Sequence, residues 1–271
     1  MKLIVLLISF SILLAPCYAQ AADYNIEYNN LELEFGLSYN YHPYLDNITE
    51  DITGENTYLN QNKFNFLNIN ADTNAFTKLE YSLGYQAQIK YWLLDVLAVG
   101  GELERINLES SYRAEKDDKH DSYYLQTYNL SSSALLAIIN LRPFGQQLEE
   151  LKEESFWQRL IFDLNFGGGL YYNKFIRSYD IDMYYENSHY LYTKEDEYDG
   201  VVPGFKGGVE LSYLINQRSS VTLGAKYNKI LAKRLTDETG KGYRSIYSDD
   251  FQAEEFDFSN YGLYFNLVFK L

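Results

Sequence analysis

The chain ends on "NYGLYFNLVFKL", residues 260–271, and from Tyr261 onward it alternates without a break. Tyr261, Leu263, Phe265, Leu267, Phe269 and Leu271 fall on one side, with Gly262, Tyr264, Asn266, Val268 and Lys270 on the other. A period of two is strand geometry, because successive side chains leave a β-strand on opposite faces. Chain ends ordinarily fray, so an apolar one needs a structure that holds it. Three settings supply this: a buried strand of a soluble sandwich, an edge open to aggregation, or the closing strand of a barrel in lipid.

The alternation recurs along the chain and defines eight strand segments: 31–41, about 77–93, about 97–110, about 124–142, 158–176, 204–215, about 220–232, and the terminal stretch. In "LELEFGLSYNY" the match is complete over the whole of 31–41. The third segment is less regular, and a bulge is expected near Arg105. The fourth holds "ALLAII", apolar on both parities, and leaves its register open. The connections sort into two kinds. About 94–96, 143–157 and 216–219 are mostly short, whereas about 42–76, 111–123, 177–203 and 233–257 are long and polar. Short turns at one end and long loops at the other, on strands that exceed the roughly 5 to 6 residues usual in soluble sheets, are the pattern of a transmembrane barrel. The expected fold is all-β: an eight-stranded antiparallel up-and-down transmembrane β-barrel with four long outer loops and three periplasmic turns.

The N-terminal "MKLIVLLISFSILLAPCYAQAA" has one Lys, an apolar run and then small residues, which reads as a secretory signal peptide over 1–19. The expected organisation is then a short periplasmic segment, 20–30, and a barrel, 31–271. Cys17 is the only cysteine and falls in the signal, so the exported chain is expected to hold together without disulfides. The net charge of −15 becomes −16 once Lys2 leaves with the signal. That balance argues against a nucleic-acid partner and allows acidic loops bridged to lipopolysaccharide by divalent cations.

With these features the chain resembles the small eight-stranded outer-membrane barrels of the OmpA, OmpX and opacity-protein kind, over nearly all of its exported length. The sharpest local likeness is the closing strand. Such barrels carry a terminal insertion signal, and Asn260, Gly262, Phe265 and Leu267 match it in order, with Phe269 displaced two positions from the end and Leu271 last. The resemblance implies the bacterial outer membrane as location, the barrel-assembly machinery as a transient partner, and outer-membrane lipid and lipopolysaccharide as surroundings.

If the apolar faces meet lipid, Glu32, Glu34, Glu80, Lys90, Glu102, Asp163, Lys206, Glu210, Lys226 and Lys270 point into the lumen. Eight strands leave a lumen just wide enough for side chains to fill, so these charges are expected to pair. Hairpin counting sets Glu210 beside Lys226 and Lys90 close to Glu102, and closure brings Lys270 to Glu32 or Glu34. Two aromatic girdles are expected at the lipid–water interfaces. Tyr91, Trp92, Trp157, Tyr213 and Phe269 form one at the turn end, and Tyr39, Tyr41, Tyr172, Phe205, Tyr227 and Tyr261 the other toward the loops.

Catalytic chemistry has thin support. His42 near Ser38, or His189 beside Ser188, admits a hydrolytic reading, and His120 lies in another loop, but no nucleophile elbow accompanies them. The acidic clusters "EKDDKHD" (115–121), "KEDEYDG" (194–200) and "SDDFQAEEFD" (248–257) lack a calcium-loop pattern. The run "QLEELKEE" in 143–158 reads as a short helix that covers the barrel floor. No cofactor and no enzymatic activity are expected. The leading functional expectation is presentation of acidic, Tyr-rich loops for adhesion to a host or cell surface, or for envelope integrity. A small pore is the alternative, and an outer-leaflet lipid A hydrolase a more distant one.

Overall fold

The computed structural model describes residues 30–45, 81–115, 123–143, 159–185, 188–216, 218–243 and 255–271. The signal segment, Glu80, His120, Trp157 and the "QLEELKEE" run lie outside the described residues.

In chain order the strands are β1 (Leu31–Tyr41), β2 (Tyr81–Leu94), β3 (Leu97–Glu115), β4 (Tyr123–Leu141), β5 (Leu160–Tyr185), β6 (Ser188–Asn216) and β7 (Ser219–Ile230), then the two-residue β8 (Lys233–Arg234) and β9 (Glu255–Phe256), and β10 (Asn260–Lys270). β8 and β9 pair with each other. The other eight close into an antiparallel ring in the order β1-β10-β7-β6-β5-β4-β3-β2. The terminal strand supplies the seam: its residues pair with β1 from Glu32↔Lys270 to Tyr41↔Tyr261, and the far edge of β10 is taken up by β7.

The ring's stagger follows from the ladder pairs. Leu31 lies opposite Tyr91, and successive partners lead through Val99, Ile139, Phe166, Gly207, Tyr227 and Tyr261 back to β1 at Tyr41, ten residues along. Ten residues of stagger over eight strands correspond to a tilt of about 41°, taking about 3.3 Å per residue and 4.8 Å between strands. The eleven residues of β1 then rise about 27 Å, enough to cross the apolar band of about 25 Å in such barrels.

Four strands continue well beyond that height. β3, β4, β5 and β6 pair in unbroken register as far as Glu115↔Tyr123, Tyr123↔Asp182 and Tyr185↔Ser188. The span 177–203, expected as a long polar loop, is therefore an extended hairpin in which 186–187 lie between the strands. Polar residues suit it because its far part, 191–195, is exposed, and β pairing there needs backbone bonds rather than an apolar face.

No bulge occurs at Arg105, where the ladders to both neighbours run through without a shift. The irregular steps fall beside the tight turns, between Trp92 and Leu94 and between Leu214 and Asn216. What changes near Arg105 is the solvent. Outward residues of β3 run Leu97, Val99, Leu103 and then Arg105, Asn107, Glu109, while inward ones run Glu102, Glu104 and then Ile106, Leu108. On β5 the outward face passes from Leu164, Phe166, Leu170 and Tyr172 to Lys174, and the inward face from Asp163 and Asn165 to Tyr171 and Phe175. The lower barrel is apolar outside and largely polar inside, with Leu136 and Ile138 of β4 and Val268 of β10 among its inward apolar residues. Its upper extension has the reverse pattern, that of a water-soluble sheet.

Candidate functional site

The lower interior is a stack of ion pairs, its side chains delivered by inward strand positions and, for Arg142, by the residue that follows β4. At the turn end, the Arg142 guanidinium donates to both carboxylate oxygens of Asp163 at 2.9 Å, and Lys270 lies 3.4 Å from its ladder partner Glu32. Above them Lys90 contacts both Glu34 and, at 3.0 Å, Glu210. Higher still, Lys206 donates to both oxygens of Glu102 at 2.7 Å, and Lys226 pairs with Glu104 while donating to Gln86 Oε1 at 2.9 Å. These described residues amount to six carboxylates and five cations. Lys90, shared between two carboxylates, accommodates the odd one.

Neutral groups complete the network. Glu210 accepts from Tyr264 Oη at 2.8 Å and from Asn140 Nδ2 at 3.1 Å, Glu34 from Asn266 Nδ2 at 2.9 Å, and Glu104 from Asn228 Nδ2 at 3.2 Å. The Tyr264 ring lies 5.4 Å from Lys206 Nζ and 5.6 Å from Lys226 Nζ, so it serves both as hydrogen-bond donor and as a cation–π surface. Gly224 makes room for that ring: a Cβ on Gly224 would lie 2.2 Å from Tyr264 Cζ.

Two expected neighbours are not partners. Glu210 pairs with Lys90 rather than Lys226, and Lys90 with Glu34 and Glu210 rather than Glu102. The steps at Trp92/Leu94 and Leu214/Asn216 set Lys90 opposite Gly100 and Glu210 opposite Gly224. The long lysines then reach across the lumen instead of along a hairpin. Lys226 of β7 meets Glu104 of β3, and Lys90 of β2 meets Glu210 of β6, each pair four places apart in the eight-membered ring. Glu104 and Arg142 are not among the lumen residues that the alternation pointed to. Glu104 shares the parity of Glu102, and Arg142 that of Asn140, so an inward face extended by two residues finds both.

Over this layer sits an apolar one. Ile106, Leu108, Tyr128, Leu130, Phe175 and Val202 form one buried cluster with Leu235, Tyr243, Phe256 and Phe258 from the β7–β10 connection. Phe175 meets the edge of Tyr243 at 4.9 Å and Phe256 at 5.1 Å, and the Arg177 guanidinium lies 5.3 Å from the Tyr243 ring. An aromatic cap thus closes the loop end of the interior.

Outside, Tyr39, Tyr41, Tyr172, Phe205, Tyr227 and Tyr261 face outward toward the loop end, and Tyr91, Tyr213 and Phe269 toward the turn end. Tyr227 and Tyr261 stack at 4.7 Å, and Tyr39 on Tyr81 at 5.6 Å. Trp92 departs from the expected girdle. It is buried inside, with the Arg142 guanidinium 3.9 Å from the center of its ring, because Trp92 follows Tyr91 and consecutive strand residues take opposite faces. In the terminal motif Asn260 and Gly262 point inward, Asn260 accepting from Asn228 Nδ2 at 3.2 Å, while Phe265, Leu267, Phe269 and Leu271 are exposed.

The histidine pairs also rearrange. His42 Nε2 is 2.9 Å from Ser82 Oγ, not paired with Ser38, and both residues are buried. His189 contacts Asp182 at 2.8 Å on the projecting hairpin. Cross-strand neighbours, Ser82 on β2 and Asp182 on β5, supply the contacts of the two histidines. Among the described residues no group of three or more His, Cys, Asp or Glu side chains is placed to hold a metal ion.

Closed ladder, apolar belt and salt-bridged lumen together define a class: the eight-stranded, up-and-down transmembrane β-barrel. No protein-family model and no curated protein matches the sequence. Among solved structures the chain is similar to neisserial surface protein A (9% identity, 89% of this chain and 97% of that one, TM-score 0.34). It is also similar to the outer-membrane protein OprG of Pseudomonas aeruginosa (12% identity, 89% and 96%, TM-score 0.35). A third is the attachment invasion locus protein Ail of Yersinia pestis, solved with the heparin analogue sucrose octasulfate (8% identity, 88% and 95%, TM-score 0.33).

Proposed function

We propose that the chain is a bacterial outer-membrane barrel that holds the β3–β6 sheet outside the cell as an adhesive surface, with envelope integrity as the accompanying role. The observation that carries this reading is the inversion of polarity along β3 and β5. It gives each strand a lower part suited to lipid outside and an upper part suited to water outside, so the sheet above Arg105 and Lys174 stands clear of the bilayer. On this reading the surrounding partners are outer-membrane lipid and lipopolysaccharide, and the barrel-assembly machinery inserts the chain.

The projecting sheet offers contacts of the right kind. Leu191 and Tyr192 are strongly exposed, and acidic residues Glu195, Asp196 and Glu197 follow. Among the described residues, 191–198 of β6 pairs in the ladder on its β5 side alone, which leaves backbone groups for an incoming partner. The reading assigns no catalytic role, since the His42–Ser82 pair is buried. It also prefers surface presentation to conduction, because paired charges fill the lumen and the aromatic cluster caps it.

The test is to express the full chain and a variant in which 180–193 are replaced by Asn-Gly, and to verify both barrels by a heat-dependent gel shift of outer-membrane fractions. Adherence to epithelial cells, or resistance to detergent for the envelope role, is expected to fall in the shortened variant. Equal adherence and equal detergent resistance would refute the proposal.

A further inference from the structure

The lipid-facing wall carries a trough across β5, β6 and β7, of about 410 Å³ and almost wholly apolar. Its floor is Gly207, flanked in register by Phe166 on β5 and Tyr227 on β7; one step nearer the turns, Val209 lies between Leu164 and Ala225. The Tyr227–Tyr261 stack walls the end toward the loops.

Two outward-facing glycines of this wall, Gly207 and Gly168, have no packing reason to be glycine, unlike inward Gly208, whose Cβ would lie 2.8 Å from the Ala225 carbonyl oxygen. A Cβ on Gly207 would meet nothing within 4 Å, and one on neighbouring Gly168 would meet only the Gly204 carbonyl oxygen at 3.9 Å. By contrast Gly36, Gly100, Gly169 and Gly224 have atoms within 2.3 Å of the Cβ position. Neither Gly207 nor Gly168 has a positive φ, and the ladder runs through both without a shift. A glycine inside a strand weakens it, and such a residue marks a bulge, a tight bend at a barrel corner, a close backbone approach or an approaching ligand. The open space over Gly207 and Gly168 favours an approaching ligand.

The occupant follows from position and charge. The trough lies within the apolar belt, so what fills it must be hydrocarbon. Two residues beyond Tyr227, on the same outward face and about 7 Å farther along β7, stands Lys229. Its Nζ is 3.0 Å from the Asp257 carboxylate and 5.3 Å from the center of the Tyr44 ring. We propose that the trough holds one acyl chain of an outer-leaflet lipid whose phosphate is met by Lys229. This rests on the membrane reading above.

Native mass spectrometry of the refolded full chain tests it, in detergent micelles doped with phosphatidylglycerol or with phosphate-free diacylglycerol. Wild type is expected to keep one phosphatidylglycerol under activation that strips the micelle, and to lose diacylglycerol sooner. Gly207→Leu, which fills open space on a wall that tolerates it, is expected to lose that retention. Leu223→Phe, outside the trough, keeps it, and Lys229→Ala brings the two lipids to equal retention. Retention by Gly207→Leu equal to wild type overturns the proposal. So does a homodimer that Gly207→Leu abolishes while lipid retention is unchanged, which would assign the trough to a second copy. Outer-membrane fractionation separates the failures: recovery as a soluble periplasmic protein overturns the membrane reading itself.

Discussion

The Lys206–Glu102 pair gives the sharpest test of how the lumen is held. Both side chains are fully buried, and Lys206 Nζ lies 2.7 Å from each carboxylate oxygen. At an effective dielectric constant of about 20, the attraction at that distance is about 6 kcal/mol. Desolvation of both ions offsets much of it, so the pair as a whole contributes little net stability. Removing one partner is different, because the other charge is left in a water-poor lumen. Lys206→Met or Glu102→Gln alone is expected to destabilise by about 3 to 5 kcal/mol, whereas the double variant should cost less than either single one. With a urea slope of about 2 to 3 kcal/mol/M for a chain of this size, each single variant should lower the unfolding midpoint by about 1 to 2.5 M. The assay is urea titration of the barrel refolded in lipid vesicles, followed by gel mobility without heating. Single variants that each cost under about 1 kcal/mol and add in the double would refute the argument that cross-lumen pairing braces the barrel.

Other expectations are as direct. Gly224→Val should be destabilised by about 1 to 3 kcal/mol or more, as the new side chain displaces the Tyr264 ring from its seat; the same urea titration measures it. Phe175→Ala removes the center of the aromatic cap and should cost about 3 to 5 kcal/mol, with faster proteolysis in 231–259 while the lower barrel stays resistant. On the projecting hairpin, partial burial pushes the Asp196 carboxyl up, but hydrogen bonds from Lys194 and Arg177 outweigh this and hold it below the ordinary 3.8. A depressed carboxylate stabilises above its unfolded value, so the hairpin should loosen only as the pH falls from near 4 through the lower folded value, read as faster amide exchange across 191–198. Asp196→Asn should remove that acid dependence.

The candidate site was legible in part, and the division has a physical reason. Alternation is a local property: it needs only the backbone geometry of one strand, so the eight segments, their lipid-facing sides and the inward parity of Glu32, Lys90, Lys206 or Glu210 could be read one residue after another. The closing role of 260–271 followed in the same way, from an apolar strand that needed a partner on each edge. The same local rule already placed Trp92 opposite Tyr91, and applying it strictly would have kept Trp92 out of the girdle.

Three matters waited for the tertiary structure. The identity of each ion pair depends on the ten-residue stagger and on the two shifted turns, which decide that Lys226 crosses to Glu104 and Lys90 to Glu210. The irregular stretch near Arg105 looked like a break in the strand because one segment cannot show that its two faces exchange solvents; that took the neighbouring strands and the Phe175–Tyr243–Phe256 cluster. The polar span 177–203 looked like a loop because its pairing is held by backbone hydrogen bonds along a ladder, and side-chain pattern carries no record of them. Sequence alone determined which face of each strand would seek hydrocarbon. The closed ring decided which charges meet inside it, because that depends on distances between strands far apart in the chain.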